Sequence, residues 1–273
     1  MLNQKEYLNM YETIKDEIKF FVSSEARFNI LRYLAEFPVA MKELYNKTNF
    51  SYSAITSNVS KLHSNNYLAK NKGKYKATDL TKIKLINLGH LNDSLYVINE
   101  CSSFWENHDI SAIPLKSLGN LRDLKGAHVI ETSQTDIYKI NNEIKNILES
   151  SKNIKCVFPF LHPDFPLTFE DLLREGCNIE LFFVKEITMD FIKSMEFKII
   201  KEAIQNKNLK IESLPSNMNI LLIVTENTLA LGLFKDDESF DQNRLLISKE
   251  KNSIKWGNKI FEKYAKKSTK FLL

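Results

Sequence analysis

Residues 51–78 read SYSAITSNVSKLHSNNYLAKNKGKYKAT and join a polar helical segment to a basic hairpin. Ser51 is of the residue type that caps helix N-termini. Apolar residues then recur on one helical face at Ile55, Val59 and Leu62. Two short lysine-containing runs flank Gly73, which is typical of a β-hairpin. The segment therefore predicts a helix followed by a two-stranded wing.

Residues 44–78 contain no aspartate or glutamate. The lysines of this stretch are Lys47, Lys61, Lys70, Lys72, Lys74 and Lys76. Residues 1–80 carry 12 Lys+Arg against 8 Asp+Glu, whereas the rest of the chain carries 26 of each. The whole net charge of +4 therefore arises in the N-terminal region, which indicates a polyanionic partner for that region.

Three helices are predicted before the quoted segment. Residues 4–22 show apolar positions at helical spacing, and SEARFNILRYLAEFP (residues 24–38) predicts a second helix that ends before Pro38. AMKELYNKTNF (residues 40–50) predicts a third, short helix. Helix, helix, turn, helix and basic hairpin make up the order of a winged helix-turn-helix.

The fourth predicted helix has short polar side chains that would let it enter the roughly 12 Å wide major groove of DNA. The predicted DNA-binding residues are Ser51, Tyr52, Ser53, Thr56, Ser57, Asn58 and Lys61 on the helix and Lys70, Lys72, Lys74 and Lys76 on the wing. This helix has no Arg or Gln, so phosphate contacts and DNA shape are expected to carry more of the specificity. A basic hairpin that is only solvated, or a winged helix that contacts a protein, are the alternatives.

The remainder of the chain predicts a different architecture. A mostly helical stretch reaches about residue 104, and the apolar strands AHVIET, IKCVFPF and NIELFFVK then alternate with helices. NILLIVTENTLALGLF predicts two further strands, and SIKWGNKIFEKYAKKSTKF predicts a final helix. We therefore expect a two-domain fold of mixed α+β and α/β class, in which the C-terminal α/β domain has a mainly parallel mixed sheet.

The predicted division is a winged helix-turn-helix in residues 1–80, a linker or dimerisation helix in residues 81–110, and an α/β regulatory or sensor domain in residues 111–273. The apolar positions of residues 81–105 and 4–22 make these two segments the candidate dimer seams. Winged-helix regulators often bind two half-sites as dimers, so a homodimer is expected.

Composition and motifs exclude several classes of protein. Three widely spaced cysteines do not form a disulfide framework, and no zinc spacing, P-loop or GxGxxG is present. Neither a secretory signal nor an apolar run of about 18 residues occurs. The expectation is a soluble cytoplasmic protein without membrane, metal or cofactor.

The chain resembles archaeal winged-helix regulators of the methanogenesis and filamentation regulatory family, through an ordered set of segments. These segments are SEARFNILRYLAEFPVAMKEL, SYSAITSNVSKLHSNNYLAK, IPLKSLGNLRDLKGAHVIET and IKWGNKIFEKYAKKS. The resemblance covers nearly the whole chain. It implies an ArsR-like winged helix, double-stranded DNA as partner, and transcription regulation in an archaeon.

The C-terminal half also looks like one half of a phospholipase-D-like fold, as in sugar-sensing archaeal regulators. Active members of that superfamily carry His-x-Lys-x-x-x-x-Asp, and the matching positions here are Asn219, Leu221 and Glu226, with Gly232 on the following strand. A covalent phosphohistidine mechanism needs the missing His and Lys. The chain is therefore expected not to be an enzyme, and a phosphodiesterase is the least favoured alternative.

A ligand site is also predicted, at the carboxyl ends of the α/β strands, where open sheets bind ligands. Its candidate residues are Ser133, Gln134, His162 and Lys185, with ordinary loop positions as the alternative. The functional hypothesis is a DNA-binding transcriptional regulator that the C-terminal domain controls, with an unknown small molecule as candidate effector. A protein–protein adaptor is the main alternative.

Overall fold

The structure is a computed structural model that describes residues 3–216 and 218–270. The chain divides into two compact units, residues 1–90 and 91–273. The first unit thus includes the first half of the helix that the sequence analysis assigned to a linker. The division into three predicted segments stays a prediction.

The first unit follows the predicted element order. Its elements are α1 Gln4–Val22, α2 Glu25–Glu36, α3 Met41–Lys47, α4 Tyr52–Ser64, β1 Leu68–Asn71 and β2 Lys74–Ala77, followed by α5 Asp79–Glu100, which ends in the second unit. The helix starts agree with their capping residues: the side chains of Asn3, Ser24 and Ser51 each accept a backbone N–H of the first turn. Val39 pairs through both backbone groups with Tyr75 and so adds a third, single-residue strand to the hairpin. This arrangement is a winged helix-turn-helix.

One apolar core holds the first unit together. Ile30 and Leu31 of α2, Ile55 of α4 and Leu62 of α4 are all inaccessible to solvent. Leu68 at the start of the hairpin packs into the same cluster. On α4 the residues that the helical periodicity selected are thus the ones that bury apolar surface, which is the main stabilising term for a domain of this size.

The second unit contains the remaining elements. They are α6 Ser102–Trp105, α7 Leu115–Leu118, a 3-10 turn Leu121–Leu124, β3 His128–Glu131, α8 Lys139–Glu149, β4 Asn153–Phe158, α9 Phe165–Arg174, β5 Asn178–Val184, α10 Lys185–Ser194, α11 Phe197–Gln205, β6 Leu209–Leu214, β7 Ile220–Thr225, β8 Leu229–Leu233, β9 Arg244–Ser248, α12 Lys251–Ala265 and β10 Thr269–Lys270. The strands form one sheet in the order β10-β6-β5-β4-β7-β8-β9-β3.

The sheet is mixed, as expected, but the expectation that it is mainly parallel is wrong. Among the described strands only β4–β5 and β5–β6 pair in parallel, and the other pairs are antiparallel. Helices connect β4 to β5 and β5 to β6, whereas short connections return the chain directly between β7, β8 and β9. A tight connection can join only antiparallel neighbours.

Strand β3 occupies a place that the β-α-β alternation does not predict. It lies at the sheet edge, antiparallel to β9, and is separated from β4 by three other strands. The periodicity of the sequence identifies β3 as a strand, but its neighbour is set by pairing with a segment more than a hundred residues away.

Alternating side chains give the sheet two buried faces. On β5, Leu181 and Phe183 face the core that α8 to α11 cover, whereas Phe182 faces the core beneath α12. Phe182 stacks on Phe261 of α12 with ring centroids 4.6 Å apart. Burial on both faces explains the continuous apolar runs of the central strands.

Candidate nucleic-acid interface

Helix α4 presents a mainly polar surface because its large aliphatic residues point into the core, whereas Tyr52 at its start is exposed. Ile55, Val59 and Leu62 are buried, and the side chains of Ser53 and Ser57 between them are exposed. The Ser51 hydroxyl accepts the backbone N–H of Ala54 at 3.2 Å and lies 3.1 Å from the Ser53 hydroxyl. The start of α4 is therefore fixed by its own cap, as predicted from Ser51.

Two of the predicted base-reading side chains are used inside the protein. The Thr56 hydroxyl donates to backbone carbonyls of Tyr52 and Ser53 at 2.9 and 3.0 Å. The Asn58 amide donates to the Ala54 carbonyl at 2.9 Å, and its oxygen accepts from Arg27 Nε at 3.3 Å. Thr56 and Asn58 thus help to shape and position α4.

Arg27 of α2 is the partner that sequence reasoning missed. Its guanidinium lies 4.0 Å from the Phe20 ring centroid and also donates to the Phe20 carbonyl. Arg27 therefore links α1, α2 and α4, since Phe20 belongs to α1 and Asn58 to α4. An arginine in an amphipathic helix gives no sequence signal for this role.

The wing is a tight antiparallel hairpin. Its register pairs Leu68 with Ala77 and Lys70 with Tyr75. Lys72 and Gly73 form the two-residue turn and both have positive φ, 48° and 78°. Positive φ at both central residues is the requirement of a type I′ turn, and Gly73 meets it without strain.

The wing lysines point to two different faces. Directly paired residues share a face, so Lys70 lies on the side of Leu68 and Tyr75, and Lys74 and Lys76 lie on the other side. Lys70 Nζ lies 5.1 Å from the Tyr75 ring centroid, within cation–π range. The outward-facing basic surface of the strands therefore consists of Lys74 and Lys76, with Lys72 at the tip.

Tyr75 joins the wing to the helix. Its backbone pairs with Val39, and its ring meets the edge of His63 of α4 with ring centroids 5.9 Å apart. These contacts limit how far the wing can move relative to α4. His63 thus packs on this ring.

Carboxylates of the first unit lie outside residues 44–78, and one of them is paired inside the unit. Glu17 Oε1 accepts from Tyr67 Oη at 2.9 Å and from Lys84 Nζ. The hydrogen bond from Lys84 lowers the pKa of Glu17, and the bond from Tyr67 adds to this effect. Burial and the neighbouring carboxylate raise the pKa of Tyr67 to about 12. The ionised form of Glu17 is therefore favoured, and Lys84 balances its charge. The group lies where α1, α5 and the start of β1 meet.

The predicted ligand residues follow three strands of the second unit, and Lys185 is the first residue of α10. Ser133 and Gln134 follow β3, His162 follows β4, and Lys185 follows β5 directly. Three strands separate β3 from β4, which corresponds to roughly 19 Å between strand axes. His162 Nδ1 accepts the Asp164 backbone N–H at 3.2 Å. The structure thus places Ser133 and Gln134 at the sheet edge, and the ligand role of all four residues stays a prediction.

Three positions that match the phospholipase-D pattern are packed or hydrogen-bonded within the second unit. Leu221 is inaccessible to solvent, and a Cβ on Gly232 would lie 3.0 Å from the Phe240 ring. The Glu226 carboxylate accepts the backbone N–H groups of Lys152 and Asn153 at 2.7 and 3.0 Å. Leu221 and Gly232 thus serve the packing of the sheet, and Glu226 serves the geometry of a turn.

Two features of the described residues bear on membranes and metal ions as partners. None of the helices there is long and apolar enough to cross a membrane. Nor do His, Cys, Asp and Glu residues of the described ranges gather into a group that could hold a metal ion.

Comparison with known proteins finds similarity to regulatory proteins. The family described as "Methanogenesis regulatory protein FilR1, middle domain" matches residues 137–267. The methanogenesis regulatory protein FilR1 of Methanothrix harundinacea (strain 6Ac) is 26% identical over 254 residues, which cover 92% of this chain. The chain spans 57% of the length of that relative.

Solved structures show weaker similarity. TrmBL2, an archaeal chromatin protein, has a TM-score of 0.43 at 12% identity, covering 96% of this chain and 99% of its own. The phospholipase D family member Nuc from Salmonella typhimurium has a TM-score of 0.40 at 10% identity, covering 54% of this chain and 98% of its own.

The matched family and the curated relative are both described as regulatory, in agreement with the expectation that the chain is not an enzyme. The resemblance seen in the sequence is thereby confirmed as a similarity: the chain is similar over most of its length to a methanogenesis regulatory protein, and its residues 137–267 match the FilR1 middle-domain model.

Proposed function

We propose that the chain is a DNA-binding transcriptional regulator in which α4 enters the major groove and the wing contacts phosphates. The observation that carries this proposal is the acid-free surface formed by α4 and the wing, residues 44–78. A carboxylate in such a footprint would repel the DNA backbone, and each lysine that neutralises a phosphate releases a counterion.

The side-chain geometry supports a particular division of roles. The exposed hydroxyls of Ser53 and Ser57 are short enough for close approach to base edges, whereas Thr56 and Asn58 are hydrogen-bonded within the protein. Lys72, Lys74 and Lys76 face outward for phosphate contact. We infer that DNA shape and phosphate positions contribute more to specificity than direct hydrogen bonds to bases.

We further propose that the protein acts as a homodimer and that the second unit controls the spacing or orientation of the two winged helices. All described residues in positions 3–14 are exposed, and the apolar ones include Tyr7, Leu8, Tyr11 and Ile14. An exposed apolar helix of this kind is stabilised when it packs against another surface. An effector shifts such an equilibrium only if it binds one state more tightly than the other.

The test is binding of the purified protein to DNA from upstream of its own gene, titrated against salt and random competitor DNA. Lys74→Gln/Lys76→Gln is expected to weaken binding about tenfold and to flatten the slope of log K against log salt by about 0.9 for each phosphate that the variant leaves without a lysine. Lys198→Gln/Lys201→Gln on exposed positions of α11 removes the same charge from the second unit and serves as control.

Equal weakening by both double variants would show that net charge, and not the wing, drives binding. Absence of binding even at low salt would overturn the DNA proposal and favour the adaptor alternative, in which the winged helix contacts another protein.

A further inference from the structure

A pocket with a high density of lysines lies between α7 and α12 of the second unit. Its volume is about 350 Å³, and it is partly enclosed. The lysines that line it are Lys116, Lys259, Lys263 and Lys266. This volume lies at the lower end of the range found for small-molecule sites.

The lysines converge because three of them recur at helical spacing and the fourth comes from another helix. Lys259, Lys263 and Lys266 follow one another at i, i+4 and i+7 on the solvent-facing side of α12, and Lys116 approaches from α7.

Few acidic groups offset the charge of these lysines. Glu262 is the carboxylate in the lining, and Lys259 Nζ lies 3.8 Å from Asp123 Oδ2. The exposed part of Lys259 is 65% of its side chain, so this pair is well solvated and weak. The pocket therefore keeps a positive potential, although residues 81–273 as a whole are balanced at 26 basic and 26 acidic side chains.

The wall of the pocket is rigid without a ligand. Trp256 is 1% exposed, and its indole Nε1 donates to the Ser117 carbonyl at 2.9 Å. The Asn120 amide donates to the Lys116 carbonyl at 2.7 Å. The Trp256 bond fastens α12 to α7, and the Asn120 bond holds the segment after α7 against its own helix, so that the pocket is formed in advance and a ligand need not order it.

We propose that this pocket binds a small phosphorylated anion. Several ammonium groups around one concave space match the charge and the multiple acceptor oxygens of a phosphate or diphosphate. Phosphate could come from a free molecule or from a DNA backbone, and the concavity favours the free molecule, because a duplex is a broad convex surface. The site lies apart from the predicted residues Ser133, Gln134, His162 and Lys185.

Binding to this pocket can be measured without DNA, so its test is independent of the proposed function.

The sequence signal of the pocket is the lysine spacing in IKWGNKIFEKYAKK. Only the structure shows that α7 adds a wall with Lys116.

The experiment is calorimetric titration of the full chain with inorganic pyrophosphate at fixed ionic strength, with sulfate as competitor. Lys259→Gln/Lys263→Gln is expected to weaken pyrophosphate binding at least about tenfold, since each charge-assisted hydrogen bond that these lysines donate contributes appreciably. Lys251→Gln/Lys255→Gln removes equal charge from exposed positions of the same helix outside the pocket. This control is expected to bind within about twofold of the unmodified protein.

Both variants are expected to fold, because all four substituted positions are exposed. Thermal unfolding of each variant checks this. Failure of the unmodified protein to bind pyrophosphate, or equal weakening in both variants, would overturn the inference. A duplex DNA arm separates the two sources of phosphate. If Lys259→Gln/Lys263→Gln weakens duplex binding and leaves pyrophosphate binding unchanged, the surface serves the DNA backbone and the small-anion proposal is wrong.

Discussion

At the scale of single residues, the buried carboxylate of Asp241 shows how a charge is accommodated in the second unit. It accepts the Asn243 backbone N–H at 3.0 Å, His108 Nε2 at 3.1 Å and Arg244 Nη1 at 3.4 Å. The other ring nitrogen of His108 donates to the Phe104 carbonyl at 2.5 Å. Asp241 thereby fastens the segment after α6 to the loop before β9.

Asp241→Asn is expected to lower the free energy of unfolding of the second unit by about 2 to 4 kcal/mol. The physical reason is that Arg244 would lose its buried counter-charge and His108 would lose its carboxylate hydrogen-bond partner. Urea denaturation followed by circular dichroism measures the change. Asp237→Asn in the same loop is the control, because Asp237 is exposed and serves only its local turn with Ser239. Equal stability of the two variants would contradict the role of Asp241.

Glu17 predicts a pH dependence of the first unit. Its pKa is lowered below 4.5, chiefly by Lys84, so its stabilising contribution is present above that pH and is lost as the pH falls through the lowered value. Tyr67 has the opposite sign: its pKa is raised from 10.0 to about 12, and its contribution is lost as the pH rises between these values.

Glu17→Gln is therefore expected to remove part of the acid destabilisation, and Tyr67→Phe part of the alkaline destabilisation. Thermal unfolding of each variant from acid to alkaline pH measures this. Glu12→Gln changes a carboxylate of the same helix that is 60% exposed and is expected to keep the profile of the unmodified protein. A Glu17→Gln profile parallel to the unmodified one at acid pH would refute the assignment.

At the scale of elements, close packing of α12 on the sheet depends on one missing side chain. A Cβ on Gly257 would lie 2.5 Å from Leu229 Cδ1 and 3.0 Å from Val224 Cγ2. Both contacts are with β7 and β8, whose residues are fully packed. Interiors of proteins are dense, so a methyl group here cannot be added without moving the helix or the strands.

Gly257→Ala is expected to destabilise the second unit by about 1 to 3 kcal/mol, because overpacking outweighs the gain in helix propensity. Gly89→Ala is the matched substitution in α5, where a Cβ would meet nothing within 4 Å. That change is expected to be neutral or to stabilise the protein by up to about 1 kcal/mol. Chemical denaturation of both variants tests the comparison, and the reverse order of stabilities would disprove the packing argument.

At the scale of the whole molecule, α1 supports the proposed homodimer. Tyr7, Tyr11, Ile14 and Ile18 recur on one side of this helix and are between 42% and 67% exposed. Such an exposed stripe of large apolar side chains favours contact with a second copy.

Tyr11→Glu/Ile14→Glu is expected to shift the protein from dimer to monomer, because two carboxylates would be buried in an apolar contact. Light scattering coupled to gel filtration reads the mass directly. Asn9→Glu places a carboxylate on the opposite side of α1 and is the control, which is expected to leave the mass unchanged. An unmodified protein that is monomeric at micromolar concentration would exclude α1 as a dimer seam in the absence of DNA.

Much of the local structure follows from the sequence. The periodicity of Ile55, Val59 and Leu62, the cap at Ser51 and the turn at Gly73 predict α4 and the wing, because caps, turns and helical faces depend on residues a few positions apart. The confined positive charge of residues 44–78 likewise depends only on composition. These features predict the winged helix-turn-helix and indicate a polyanionic partner.

Only the tertiary structure decided how those residues are used. Asn58 is held by Arg27, Lys70 lies over Tyr75 and Lys116 meets the lysines of α12, and each pairing depends on how elements pack. The neighbour of β3 was decided in the same way, by a strand more than a hundred residues along the chain. Periodicity shows which side of an element is apolar, but not which distant surface covers it, because burial and pairing are properties of the packed chain.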